Sequence, residues 1–426
     1  MRCIFILPNI GNVSCCRPAL PMARLFIMTS TASLVHHALE HFFIETPSWG
    51  YSDTGTRFGK FHQPAAAIDM ADKLADAGQV HRLTGCCPTV ATHVLWDFPD
   101  LSKASEVAAL AAQHGVRIGS INPNVFQDQE YKLGSVANPD EEIRARATKH
   151  ICDCIDLGKE LHSRAVSLWF ADGTNYPGQD SIRARKHRFE YALREAHDRL
   201  DNDQVLLVEY KPFEPAFYQT DLADWGMAYM MSKIAGPRAK VLVDTGHHYL
   251  SQNIEQIVAW LLDENMLGGF HFNDRRYADD DLTLGSIDPY QIFRIFHEIH
   301  FYAWERGGVY PKIEYMIDQS HNLKPKIEAM IQTVTTAQEL YAKAALVDHE
   351  ALVKHQAAGR IIDAELCLKK AFNTDVTEAI AAWRTSHELP VDPLEAHRAS
   401  GYEAKVAAER SQRRIDLGMS TGSSYA

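Results

Sequence analysis

Four times in this chain a short apolar run stops at a side chain able to ligate a metal. That repetition restricts the fold more than any other feature. Val205-Leu206-Leu207-Val208 runs into Glu209, and Val241-Leu242-Val243 into Asp244. Gly268-Gly269-Phe270 ends at His271, and Ile313-Glu314-Tyr315-Met316-Ile317 ends at Asp318. Short apolar runs of this kind read as parallel strands buried on both faces. Such strands need crossover connections, and helical periodicity fills the intervals at 225–234, 254–264 and 289–300.

The same alternation extends towards the N-terminus. Residues 31–41 and 65–77 have helical spacing, the second ending at Gly78. Residues 90–96 read as a strand and 102–114 as a helix with Gly115 at C′. A strand over 116–121 enters Asn122-Pro123-Asn124, and a long helix over 140–161 follows Pro139. Residues 165–170 are the next strand, 181–200 the next helix, and a final helix covers 325–345. About eight strand–helix units make a (β/α)8 TIM barrel. A doubly wound sheet would not gather four successive strand ends around one pocket.

Beyond this the pattern is helical only, at 350–356, 364–371, 376–385 and 402–409, punctuated by Pro390, Pro393 and Gly401. The expected organisation is an atypical, disordered segment over 1–30, a catalytic barrel over 31–346, a helical C-terminal extension over 347–417, and a disordered tail over 418–426. Residues 1–39 contain no acid, and Met22 or Met28 is the expected true start. The helical extension is expected to wrap a neighbouring subunit.

Composition excludes several functions. A formal net charge of −12 argues against a nucleic-acid footprint. No apolar run reaches membrane-spanning length. Cys15-Cys16, Cys86-Cys87 and Cys152-Asp153-Cys154 lack zinc-knuckle spacing, so the eight cysteines read as reduced residues of a cytoplasmic protein. There is no Walker A loop, no G-x-G-x-x-G after a strand and no G-x-S-x-G elbow.

At the carboxyl ends of barrel strands, Glu209, Asp244, His271 and Asp318 would face one mouth. Three carboxylates and an imidazole form a hard, oxygen-rich site suited to Mn2+, with Co2+ or Mg2+ as alternatives. His247, three residues beyond Asp244, can be presented to a second ion. Asp279 and Asp281 alternate in the seventh loop, so an extended backbone there would point both carboxylates the same way. Asp280 reads as solvated and His248 as a packing residue. Lys211 lies on the same side as Glu209 and reaches towards a substrate oxygen. Trp49, His93, Trp96 and Trp169 fall at or just beyond strand ends, where aromatic faces suit a sugar ring. Asp97 is placed to orient the His93 imidazole.

These residues resemble the bacterial L-rhamnose isomerases, in particular the broad-specificity group that also acts on D-allose. The resemblance is carried by Pro47-Ser48-Trp49-Gly50, Thr56-Arg57-Phe58, Tyr176-Pro177-Gly178-Gln179, Glu214-Pro215-Ala216-Phe217-Tyr218 and Val243-Asp244 with Gly246-His247-His248. It continues through 268–274, Asp279-Asp280-Asp281-Leu282, 316–322 and Arg398-Ala399-Ser400-Gly401-Tyr402. It implies a homotetrameric barrel with two divalent ions per subunit. Glu209, Asp244, His271 and Asp318 would hold a structural ion, and His247, Asp279 and Asp281 a catalytic one. Lys211, His93 and the tryptophans would contact the sugar, and the loop carrying Arg57 and Phe58 would close over a neighbour's pocket. The first forty residues depart from the family, whose N-terminal segment is longer and helical.

The implied reaction is a metal-assisted 1,2-hydride shift interconverting L-rhamnose with L-rhamnulose, and related pairs such as D-allose with D-psicose. Asp318 would orient the group that takes the O2 proton. A divalent-metal phosphodiesterase would use comparable ligands, but the acidic balance opposes it. A non-catalytic sugar-binding protein would keep the tryptophans and have no use for seven ligands.

Overall fold

A computed structural model describes residues 30–53, 61–212, 220–277, 279–320 and 323–419. The expected disordered segments therefore fall almost wholly outside the described residues. Eight strands form one sheet in chain order. They are β1 (Thr46–Pro47), β2 (Thr89–His93), β3 (Arg117–Asn122), β4 (Ala165–Leu168), β5 (Val205–Glu209), β6 (Ala239–Asp244), β7 (Leu267–Phe272) and β8 (Glu314–Ile317). All neighbouring pairs are parallel. The ring closes through Glu45, whose N–H donates to Tyr315 O at 2.8 Å and whose carbonyl accepts from Ile317 N–H at 2.9 Å. Helices alternate with the strands, giving the (β/α)8 barrel expected from the sequence.

The period of two along a strand places the site. Leu207, Leu242 and Met316 pack together with Ala165 and Val205 as an apolar cluster of their own. Glu209, Asp244 and Asp318 lie two residues further along the same strands, so their side chains leave on that same inward side. His271 follows Gly269, where a Cβ would come within 2.9 Å of Glu314 O; glycine lets β7 and β8 approach beneath the ligand. The alternate residues, such as Leu206, Val208, Val241 and Val243, belong to the main core. An apolar layer therefore supports a polar one at the strands' carboxyl ends.

Several boundaries differ from the reading of the sequence. The helix expected to end at Gly78 runs over Met70–Thr84. Gly78 lies inside it because a Cβ there would meet His114 O at 2.5 Å; the residue marks a close crossing, not a stop. The strand expected over 90–96 ends at His93, where the chain turns into the short helix Val94–Asp97. The extension contains His349–Ala357, Ile361–Phe372, Thr377–Ser386 and Tyr402–Asp416, and a further helix, Pro393–Ala399. Pro393 there is the first helical residue behind an Asp392 N-cap and starts the helix instead of breaking it.

The extension folds back on its own chain. Arg410 donates to both carboxylate oxygens of Asp76, at 2.8 and 2.9 Å, and to Ala65 O at 2.5 Å. Arg414 donates to Pro64 O at 2.9 Å and Ala66 O at 2.7 Å. Helix Thr377–Ser386 packs on Thr31–Glu40 through Val35, Leu39, Ile380 and Trp383.

Candidate metal centre

The structure brings Glu209, Asp244, His271 and Asp318 together, with one donor atom from each within 4.8 Å of all the others. β6 and β7 register Asp244 directly opposite His271. His271 Nδ1 lies 3.3 Å from Glu209 Oε2, 3.6 Å from Asp318 Oδ2 and 3.9 Å from Asp244 Oδ2. Ligands about 2.1 Å from a common ion would sit roughly 3–3.5 Å apart, close to these separations. A second group, Asp244, His247 and Asp279, meets the same criterion and shares Asp244 with the first. His247 Nε2 is 3.7 Å from Asp244 Oδ2 and 3.5 Å from Asp279 Oδ2.

Asp281 is the ligand candidate that stands apart. Its φ of 49° is left-handed, so the extended backbone expected there is absent; aspartate tolerates this region better than most residues. Its carboxyl still bonds to that of Asp279, and burial, then Asp279 and Asp318, push it well above the usual carboxylate range. It lies outside both ligand groups. Asp280 is half-buried and accepts the N–H groups of Arg276 and Tyr277 at 2.6 and 2.7 Å, which orders the loop from within.

The donor set calls for positive charge. Burial pushes the Asp244 carboxyl up; His247 pulls it back, Glu209, Asp279 and Asp318 push again, and it stands at about 7. Burial would lower the His271 imidazole, but Glu209 overrides it and raises it to about 9. Burial would raise Glu209, yet His271 and His247 hold it far below the ordinary range. Protons here do what a divalent cation would do. Asp244 Oδ2 and His271 Nδ1 are buried without a hydrogen-bond partner among the described residues, although both face the cluster. A carboxylate oxygen left unbonded beside a convergent imidazole nitrogen in a buried site fits a metal ion.

Surrounding groups fix the ligands. Asp244 Oδ1 accepts from Gly246 N–H at 2.6 Å and Asn273 Nδ2 at 3.0 Å, leaving Oδ2 for the cluster. A Cβ on Gly246 would meet Asn273 Oδ1 at 2.8 Å, so a side chain there would push the two loops apart. Trp49 Nε1 donates to Asp318 Oδ1 at 2.9 Å. His248 is buried with Nε2 2.6 Å from Tyr210 Oη, in keeping with a packing role. Lys211 Nζ pairs with Asp279 Oδ2 at 2.8 Å and lies 5.0 Å from the Trp169 ring centre.

An aromatic wall flanks the ligands. The His93 ring is 4.6 Å from Trp49 and 4.3 Å from Trp96 between centroids. Phe126, which the sequence reading missed, bridges His93 at 5.5 Å and Trp169 at 5.0 Å. The signal that picked out the tryptophans, an aromatic just past a strand end, applies equally to Phe126 after β3. Asp97 does not orient the His93 imidazole. It accepts the backbone N–H of His93 at 2.9 Å, Ser48 Oγ at 2.5 Å and Lys73 Nζ at 2.6 Å. Burial, reinforced by His271 and Lys73, lowers the His93 imidazole to about 3, so the ring is neutral. A cavity of about 330 Å³ opens beside the ligands, lined by Lys211, His247, His248, Tyr249, Tyr277 and Asp279 among others. Phe58 lies outside the described residues.

Residues 87–307 match the family described as the xylose isomerase-like TIM barrel, just over half of the chain. The chain belongs to that family. A "probable sugar isomerase" of Rhizobium meliloti (strain 1021) is 39% identical over 376 residues, 86% of each chain. Another, of Mesorhizobium japonicum, is 40% identical over 377 residues, 87% of each. Among solved structures, the D-allulose 3-epimerase of a Methylomonas species superposes with a TM-score of 0.51 at 14% identity. That match covers 71% of this chain and 98% of the other, and it speaks to the fold alone. Membership of this family agrees with the barrel and narrows the resemblance read from the sequence to its broader group.

Proposed function

We propose that the protein is a metal-dependent aldose–ketose isomerase, with L-rhamnose/L-rhamnulose and D-allose/D-psicose as the pairs to test. The observation that carries this reading is the pair of ligand groups sharing Asp244 beside a wall of aromatic rings. The two relatives named as probable sugar isomerases support it over a phosphodiesterase.

In this reading Glu209, Asp244, His271 and Asp318 would hold one divalent ion, with Mn2+ the first choice, and Asp244, His247 and Asp279 a second, with Asp281 bonded to Asp279 behind it. Bound there, such ions supply Lewis acidity at adjacent sugar oxygens while hydrogen moves between C1 and C2. Trp49, Trp96, Phe126 and Trp169 bind the apolar edge of the sugar and exclude water. Neutral His93 exchanges a hydrogen bond with a ring or hydroxyl oxygen. Lys211, held by Asp279, donates to a substrate oxygen on the opposite side. Asp318, whose Oδ1 accepts the Trp49 N–H, orients the group that takes the O2 proton.

Incubating the Mn2+-loaded protein with a panel of aldoses, L-rhamnose and D-allose included, tests the proposal. The expected product is the 2-ketose of at least one aldose. Epimerisation of a ketose at C3, or binding of sugars without turnover, would overturn it.

A further inference from the structure

A third group of ligating side chains lies far from the barrel mouth in sequence and is not used by the reaction. His36 and Glu40, one turn apart on helix Thr31–Glu40, meet His387 at the end of helix Thr377–Ser386, with donor atoms within 4.8 Å of one another. His36 Nδ1 is 3.5 Å from Glu40 Oε1, and His387 Nε2 is 2.9 Å from the same oxygen. The two imidazole rings stand 5.9 Å apart.

The orientation of His387 is what points to a ligand. Its Nδ1 is 2.8 Å from Trp383 O, an acceptor only, so Nδ1 carries the proton and donates. In the neutral ring that leaves a lone pair on Nε2, aimed at a carboxylate oxygen 2.9 Å away. Two acceptors at that distance repel unless a proton or a metal ion lies between them. Glu40 Oε1 is itself anchored by Trp383 Nε1 at 3.2 Å. Metal-binding histidines tie one nitrogen to a backbone carbonyl in this way and leave the other for the ion, here beside the Glu40 carboxylate and His36.

We propose that His36, Glu40 and His387 form a zinc site that ties the helix before β1 to the C-terminal extension. Two imidazole nitrogens and one carboxylate oxygen, with water in the remaining position, make a donor set suited to a borderline ion such as Zn2+; the barrel cluster is richer in carboxylate. The apolar contacts of Val35, Leu39, Ile380 and Trp383 hold the helices in register beneath it.

Zinc titration of four purified proteins tests this: wild type, His387→Ala, His36→Ala and Asp244→Asn, with bound zinc counted after dialysis and thermal melting followed in parallel. Wild type and Asp244→Asn are expected to retain one zinc that His387→Ala lacks, and to melt at higher temperature when micromolar Zn2+ is added. His36→Ala, a change at an exposed side chain, should weaken the same zinc tenfold or more without disturbing the Trp383 contacts. Should His387→Ala and His36→Ala bind as much zinc as wild type, a proton and not a metal bridges these groups and the site does not exist. Because Asp244→Asn impairs only the barrel site, failure here is separable from failure of the isomerase reading.

Discussion

Trp49 links the aromatic wall to the carboxylate–imidazole cluster through one hydrogen bond, from Nε1 to Asp318 Oδ1. Trp49→Phe keeps most of the apolar face and deletes the donor. Removing such a ligand-orienting bond costs about 10–100-fold in metal affinity or activity. The expected result is a protein folded as wild type by circular dichroism with Mn2+ affinity lowered by that factor; unchanged affinity would show that Asp318 needs no such anchor. Lys73→Met tests a different residue. Lys73 is the buried cation beside Asp97, and breaking a buried pair costs about 3–5 kcal/mol because one charge is left without its counter-ion. Denaturant unfolding should show that loss, and the double variant Lys73→Met/Asp97→Asn should recover part of it. Nothing local in the sequence pairs these two residues, which come from different elements.

At the scale of elements, the four clustered residues were legible because each lies at, or within one residue of, the carboxyl end of an apolar strand. The apolar run announces the strand and its end announces the mouth. β1 offered no such signal. It is two residues long, contains Pro47, and joins β8 through the backbone of Glu45. The Glu45 carboxylate is buried against Ser120, and Gly119 leaves room for it. Gly78 misled for a related reason: a helical glycine and a terminating one look alike until the crossing chain is known. Gly78→Val is expected to destabilise the protein by about 1–3 kcal/mol through overpacking against His114, measured as a lower denaturation midpoint. A stability equal to wild type would mean the two segments can move apart freely. The left-handed Asp281 could not be foreseen either, since alternation in sequence implies a common side only for extended chain.

Across the whole molecule, buried groups that titrate tie outer helices together, as helix Pro289–Glu305 is tied to helix Lys326–Ala344. His300 lies with Nδ1 2.7 Å from Tyr310 Oη and Nε2 3.2 Å from Tyr341 O, with His297 and His349 nearby. Burial, then His349, lowers its imidazole to about 3. The folded protein therefore binds fewer protons at this group than the unfolded chain between about pH 3 and the ordinary histidine value near 6.5. Its contribution is full above that value and is lost as pH falls, by about 1.4 kcal/mol per pH unit. His300→Gln should be less stable than wild type at pH 8, and the gap in urea unfolding should narrow between pH 6.5 and 4. A gap that stays constant would mean His300 is not held neutral in the fold. The Arg410–Asp76 contact that returns the last helix to Met70–Thr84 lies across most of the chain's length, beyond the reach of any periodicity argument.

The central claim is that carboxylate and imidazole groups from neighbouring strands share a cation and that turnover depends on it. Its most direct test is to strip the protein with a chelator, dialyse, and follow bound Mn2+ and ketose formation from L-rhamnose or D-allose together as the ion is restored. The stripped wild type should be inactive and regain activity in proportion to Mn2+ bound. Asp244→Asn, still folded, should fall short by a hundredfold or more, since several kcal/mol of Lewis-acid stabilisation go with the shared ligand. Ketose formation at an undiminished rate by stripped protein, or by Asp244→Asn, would contradict the account.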